Sequence, residues 1–370
     1  MTPGPTPLGS GEVDQRLARA RAQVLAQGAR AADVAEVLTR AGPLQAQDLW
    51  AMDLALRVRA PGLTRPRIRH ALEGERLAVR AWLMRGTLHL VPSTDLRWML
   101  RLFAPLHQRA AQRRLRQLEL DPPLCRRAER LIVSAITDEG PLTRAELTGH
   151  LGALGVPDRG QQAIHLIRWA ALSAAICHGP LRSGEQTFVL LDDWVPDQGP
   201  GYEGERADIE LAARYAHAFG PGATAQDFAD WSGLPLPRSR TAWAATDTSG
   251  EERRPADEPG AGSGLAGGED GAAPDVRLLP AYDNYLQGRR GRELSVPSPQ
   301  RKLVWPGGGV IRPTVLVDGL AVGTWSGGTR GRLPEVQPFP ERPALAPRTA
   351  EGIAEEREAV ARFSGDDSSP

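Results

Sequence analysis

At the start of the chain, apolar positions recur at helical spacing. Val13, Leu17, Ala20 and Val24 predict a helix over Glu12–Gln27, and a shorter one follows over Ala31–Thr39. Gly42-Pro43 breaks the pattern, because proline brings no N–H and cannot continue a helix. Helical spacing resumes over Asp48–Arg59 and over Arg65–Glu75. The period then falls to two: Leu77–Leu83 and Thr87–Val91 predict strands joined at Met84-Arg85-Gly86. Helices closed by such a hairpin make a winged helix-turn-helix unit. A strongly basic helix over Asp95–Leu120 follows and stops at Asp121-Pro122-Pro123.

The same order then repeats. Leu124–Thr137 predicts a helix, Thr143 and Glu146 form a capping box that opens the next, and Gln161–Ala174 predicts a third. Strands over Ser173–His178 and Thr187–Leu191, with a turn at Gly179–Gly184, complete a second unit. A third begins with helices over Glu205–Phe219, Thr224–Ser232 and Arg238–Ala245. Its wing is replaced by Thr246–Pro274, which is almost free of hydrophobic residues and predicts a degenerate wing and linker. From Val276 short apolar runs lie between Gly/Pro turns: Val276–Pro280, Glu293–Val296, Arg301–Trp305, Val310–Val317 and Leu320–Trp325. That spacing suggests a small barrel or curled sheet. A helix over Thr349–Arg362 closes the chain.

The expected fold class is therefore mainly α with β: three tandem winged helix-turn-helix units, a small β-barrel-like module and a C-terminal helix. The expected segments are a flexible N-terminus 1–11, a first unit 12–121, a second 122–200, a third 201–275, the β module 276–347, and the closing helix with its tail 348–370.

Charge changes this picture more than composition does. The 370 residues carry no net charge, which by itself argues against a polyanion partner. Residues 57–130, however, hold 17 arginines against six acids, while 246–275 and 351–370 are acidic. A basic N-terminal half is a footprint for nucleic acid. Candidate DNA contacts are Arg65, Arg67 and Arg69 at a helix start, Arg85 at the first hairpin tip, and Arg289, Arg290 and Arg292 in a later turn. Cys125 and Cys177 are far apart, so four-cysteine clusters and Cys-rich zinc sites are excluded. No histidine pair has metal-ligand spacing and no phosphate-binding glycine pattern follows a strand, so neither a metal nor a cofactor is expected. His89, among apolar strand neighbours, is expected to be structural. No apolar run is long enough for a membrane span and the N-terminus has no secretory pattern, so a cytoplasmic, monomeric protein is expected. Lys302 is the only lysine, which restricts Schiff-base chemistry to it or the terminal amine.

The break at Gly42-Pro43 isolates one polar pair, Gln45 and Gln47, ahead of the apolar Leu49-Trp50. Positions two apart diverge on a helix but share a face when extended, so both carboxamides are expected to point into one space. Pattern alone would make them plain surface. Asp48, beside them, is expected to be a helix N-cap.

Five pieces, in this order, carry a resemblance: Gly42-Pro43-Leu44-Gln45-Ala46-Gln47, Met84–Val91, Arg214–Pro221, Leu279-Pro280-Ala281-Tyr282-Asp283-Asn284 and Val317–Trp325. The chain resembles the AlkZ-like winged-helix DNA glycosylases over about residues 12–363. The resemblance implies three winged helices and a β-barrel around a DNA-sized cleft, and excision of N7-alkylguanine, including unhooking of interstrand crosslinks. In some members this serves self-resistance to DNA-alkylating antibiotics. Gln45-Ala46-Gln47 matches the family's Gln-apolar-Gln catalytic motif, and Thr246–Pro274 departs from its pattern. The implied partner is double-stranded DNA carrying such lesions or crosslinks.

The chemistry is consistent with the residue types. A carboxamide cannot take a proton at neutral pH, but it can hold a water and place negative dipole density near a cationic sugar. That suffices only when the base already leaves easily, as a cationic N7-alkylguanine does. The expected activity is thus monofunctional hydrolysis by water, without strand-cutting lyase activity. The alternatives are a non-enzymatic winged-helix regulator and a protein that sequesters the alkylator.

Overall fold

Helix starts are set by side-chain caps. Thr143 and Thr224 accept the backbone N–H three residues on, and Glu146 and Asp227 reach back to the capping residues, closing two capping boxes. Asp121 caps the helix Pro122–Glu139, and Asp48 caps Leu49–Arg59 by accepting from the Ala51 N–H at 3.0 Å. The computed structural model describes residues 10–195, 199, 201–249, 273–340 and 345–365. It is mixed α and β, and it packs as two units. One is drawn from Met1–Ile68 and Ile209–Pro370, the other from Arg69–Asp208. The expected first segment, 12–121, is divided between them.

In the Arg69–Asp208 unit, Ala78–Trp82 pairs antiparallel with Leu88–Pro92, joined by a 3₁₀ turn at Met84–Gly86. The helix Ser93–Gln117 follows, and then Pro122–Glu139, Arg144–Leu151 and Gln162–Leu172. Ile176–Arg182 and Glu185–Leu190 form a second hairpin, and Leu142–Thr143 pairs with Glu185–Leu190, which becomes the central strand. Apolar residues from all these helices and both hairpins, among them Trp82, Ile132, Leu147, Leu166 and Phe188, share one buried core. Two histidines of this unit are buried, His89 and His178. His89 donates Nδ1–H to the Thr87 carbonyl, and His178 donates to that of Arg80, with its ring between Trp82 and Phe188. Burial, assisted by Arg85 and Arg80 respectively, lowers each imidazole to about 3.

The other unit combines the helices Ser10–Ala22, Val34–Ala41, Leu49–Arg59, Ala225–Ser232, Leu236–Ser249 and Pro347–Gly365 with residues 209–219 of Gly204–Phe219. Tyr215, Phe219, Phe228, Trp231 and Trp243 pack ring on ring among the central helices. Gly288 lies against this cluster so closely that an added Cβ would meet Phe219 at 1.7 Å. Val276–Leu279, Thr314–Val317, Leu320–Gly327 and Pro334–Pro338 form a four-stranded antiparallel sheet in sequence order, on which Pro347–Gly365 packs.

Several expectations need correction. The described strands of the β module form an open sheet, with Val276–Leu279 and Pro334–Pro338 as its edges, and no closed barrel. Residues 293–296 form a turn, and Arg301–Val304 is one helical turn preceded by a 3₁₀ turn at Ser298–Gln300. Pro297 and Pro299 impose that geometry on runs whose apolar content suggests strand. Pro313 delays the next strand to Thr314, and Pro334–Pro338, which no expected strand covers, is an edge strand, where a missing N–H is tolerated. The expected helix Arg65–Glu75 is a short α segment, Arg65–Arg69, continued as a π turn over His70–Gly74. The third helix of the last helical group runs on to Ser249, so Thr246–Ser249 is helix rather than linker; residues 250–272 of the expected degenerate wing lie outside the described residues. No described helix is long and apolar enough to cross a membrane.

One ion pair joins distant parts of this unit. Arg59 and Asp283, both without solvent exposure, meet in two parallel contacts of 2.7 and 2.8 Å. Arg59 also donates to the Gln23 carbonyl, the Gln23 side chain and the Ala55 carbonyl, so all five of its N–H groups have partners. Asp283 also accepts the Tyr285 N–H.

Two predictions follow from these buried charges. Asp283→Ala leaves a guanidinium buried without its counter-charge and should cost about 3–5 kcal/mol in denaturant unfolding. The buried histidines fix a pH dependence: between about 6.5 and 3 the unfolded chain protonates them while the folded chain does not. Stability should therefore fall as pH is lowered through that window. NMR should show both imidazoles neutral at pH 5.

Candidate functional site

The helix Val34–Ala41 ends on Gly42, whose φ of 76° is a left-handed conformation suited to glycine. Pro43 prevents re-entry into helix, Leu44–Gln45 is extended, and Asp48 restarts the helix. Burial alternates along this stretch: Leu44 and Ala46 are buried, Gln45 is half-buried and Gln47 is exposed. The apolar residues anchor one side, and the two glutamines occupy the alternate positions.

The loop is held from below by a segment more than two hundred residues away. Asp283 caps the short helix Asn284–Gln287. Asn284 donates Nδ2–H to the carbonyls of Ala41 and Pro43, at 3.2 and 2.8 Å, and so clasps the chain on both sides of the break. Gln23 adds a bond to the Ala41 carbonyl. Gln287 donates Nε2–H to Gln45 Oε1 at 2.6 Å and also to the carbonyl of Tyr282, a residue at φ 60°. Gln45 and Gln287 thus meet directly. The sequence singled out the Leu279–Asn284 stretch without giving it a role, and it missed Gln287. The available signal was Asp283-Asn284 ahead of an apolar turn, which reads as a helix cap.

The arginine candidates divide by what holds them. Arg67 is exposed. Arg65 points Nε at Asp53 from 3.5 Å and lies 5.7 Å from the Trp50 ring. Arg289 is buried and donates to the Pro221 carbonyl at 2.9 Å. Arg290 is exposed, its side chain pairs with Asp230, and its N–H bonds Asp227. Arg292 lies 4.4 Å over the Trp305 ring, and burial lowers its pKa. These are in the unit that contains the glutamines. Arg69 and Arg85 belong to the other unit. Arg85 lies at φ 52° in the first hairpin turn; packing around its guanidinium lowers its pKa to about 10, so it stays cationic at neutral pH.

Chemically, the arrangement offers two carboxamides at a helix break, one held by a third amide, with no carboxylate among the bonds that hold Gln45. It can hold water and orient dipoles; it cannot remove a proton in the manner of a general base.

Comparison with known proteins identifies the family. An interstrand DNA cross-link repair glycosylase of Streptomyces sahachiroi is 29% identical over 348 residues, covering 89% of this chain and 90% of that protein. The structure of the Streptomyces sahachiroi DNA glycosylase AlkZ superposes with a TM-score of 0.74 at 23% identity, covering 95% of this chain and 96% of that one, which shows a shared fold. The profile of the family described as DNA glycosylase AlkZ-like matches residues 38–363. The chain belongs to the AlkZ-like DNA glycosylase family.

Proposed function

We propose that the protein is a monofunctional DNA glycosylase that hydrolyses the N-glycosidic bond of cationic N7-alkylguanine in duplex DNA, interstrand crosslinks included. The observation that carries this reading is the Gln45–Gln47 pair, set on the exposed side of a loop whose apolar residues are buried. Family membership supports the reaction class, and the cross-link repair name of the Streptomyces sahachiroi relative supports the extension to crosslinks.

The mechanism we infer places a water against C1′ of a sugar that becomes oxocarbenium-like as the bond breaks. A glutamine carbonyl oxygen accepts a hydrogen bond from that water, amide dipoles oppose the positive charge on the sugar, and the water gives up its proton to solvent once its oxygen has bonded C1′. The positively charged base departs as a neutral molecule without protonation. Uracil and 8-oxoguanine, which lack that charge, are not substrates. Lys302 is the only lysine, so the nucleophile is water and the product is an intact strand with an abasic site.

We read the helix–hairpin groups as winged helices, two with described wings and a third whose wing position falls at 250–272. DNA grip is assigned first to exposed Arg67 and to Arg85 at the hairpin turn, which contact phosphates, with Arg65 and Arg69 beside them on the chain. Arg289, Arg290 and Arg292 are already held by Pro221, Asp230 and Trp305, and they support this grip by fixing the turn that follows Gln287. The protein acts as a monomer in the cytoplasm, and self-protection against a DNA-alkylating metabolite is the use that this substrate implies.

An oligonucleotide duplex with one N7-methylguanine tests the reading. Incubation followed by alkali should cleave at the lesion, and omitting alkali should leave the strand whole. Gln47→Ala should slow single-turnover excision on the order of a hundredfold. Bound but uncleaved DNA would identify a regulator instead, and nicking without alkali would overturn the water mechanism.

A further inference from the structure

The contact between Gln45 and Gln287 settles which way the Gln45 carboxamide faces. The oxygen and nitrogen of a glutamine differ little in shape, so their assignment must come from partners. Here one partner is unambiguous. The Tyr282 carbonyl can only accept, so the Gln287 atom beside it must be the NH2. That same NH2 faces Gln45 at 2.6 Å, so Gln45 must present its oxygen there. Both N–H bonds of the Gln287 amide are then used, and a turned-over Gln45 would set two donors against each other. The Gln45 NH2 is left on the other side. Among the described residues no acceptor meets it, and it is not among the buried unpaired atoms, so it opens toward solvent.

We infer that Gln287 is a positioning residue that gives the two catalytic glutamines different jobs: Gln45 presents a fixed N–H donor to the reacting centre, and Gln47 supplies the oxygen that holds the water. The inference rests on the proposed glycosylase reading and sharpens it, because two glutamines with freely turning amides would be interchangeable. The support is built into the fold. Gln287 is the last residue of the short helix capped by Asp283, which is itself held by Arg59, and Gly288 behind it is pinned against Phe219. Tyr282, at φ 60°, turns its carbonyl onto the Gln287 amide.

A carboxylate at position 287 distinguishes orientation from packing. Gln287→Glu keeps the shape but faces two oxygens with a negative charge. At neutral pH it should attract the Gln45 NH2 and turn that amide over. When protonated it again offers one O–H donor, and the original orientation returns. Excision of N7-methylguanine by Gln287→Glu, relative to wild type at each pH, should be about tenfold down at pH 8 and should recover as pH falls through the titration of the new carboxyl. Duplex affinity should not change. Gln287→Ala should also lose about tenfold, without acid recovery, and should have no further effect in a Gln45→Ala background. The double-mutant comparison decides the matter even if the Glu variant folds poorly. Wild-type rates for Gln287→Ala, or an equal loss with and without Gln45, would overturn the inference. If Gln45→Ala itself excises at the wild-type rate, the glycosylase role of Gln45 fails; if Gln45→Ala is slow and Gln287→Ala is not, only the positioning role fails.

Discussion

The buried pair of Arg59 and Asp283 is the constraint on which the candidate site depends. Two charges without solvent exposure are costly unless every lone pair and N–H has a partner, and here the guanidinium uses all five donors. Those partners come from three places in the sequence: Gln23, the helix of Arg59 itself, and Asp283. Meeting the electrostatic demand therefore fixes where residue 283 sits relative to the first helices. Asn284 and Gln287 follow on the same short helix, so their amides inherit that placement. The glutamine loop is positioned by the polar satisfaction of a charge it does not touch.

The loop adds its own rigidity. Gly42 and Pro43 stop one helix, Asp48 starts the next, and Leu44 and Ala46 are buried between them. Backbone carbonyls freed by the break would otherwise need water, and the Asn284 side chain takes two of them. Fixed donors and dipoles stabilise charge in a transition state without reorganising, so a loop clamped from both ends suits chemistry that relies on amides alone.

Much of this was legible in the sequence. The helices, the two capping boxes, both hairpins and the cap role of Asp48 depend on neighbours a few residues apart, and local pattern reports those well. His89 was rightly placed in the interior by its apolar strand neighbours. The turns at 293–296 and 301–304 carry the apolar content of strands, and the prolines beside them decide the geometry instead. Pro334–Pro338 begins and ends in proline, a composition that does not signal the edge strand it forms. Gln45 and Gln47 stand out by spacing and resemblance, whereas Gln287 cannot: its partner is 242 positions away, and a glutamine that ends a single helical turn has no local signature. Arg289 and Arg292 have neutral partners, the Pro221 carbonyl and the Trp305 ring, which charge counting cannot see.

The discontinuity of the unit that carries the glutamines has a consequence for how the protein is made. Its first part, through Ile68, leaves the ribosome well before the part that begins at Ile209, and the whole of Arg69–Asp208 is translated between them. At about 5–20 residues per second, the 242 positions from Gln45 to Gln287 take roughly 10–50 s to synthesise. Through that interval the glutamine loop has neither Asn284 beneath it nor Asp283 to neutralise Arg59. The nascent chain thus acquires its organised amide cluster only late in translation, after the intervening unit has had time to fold.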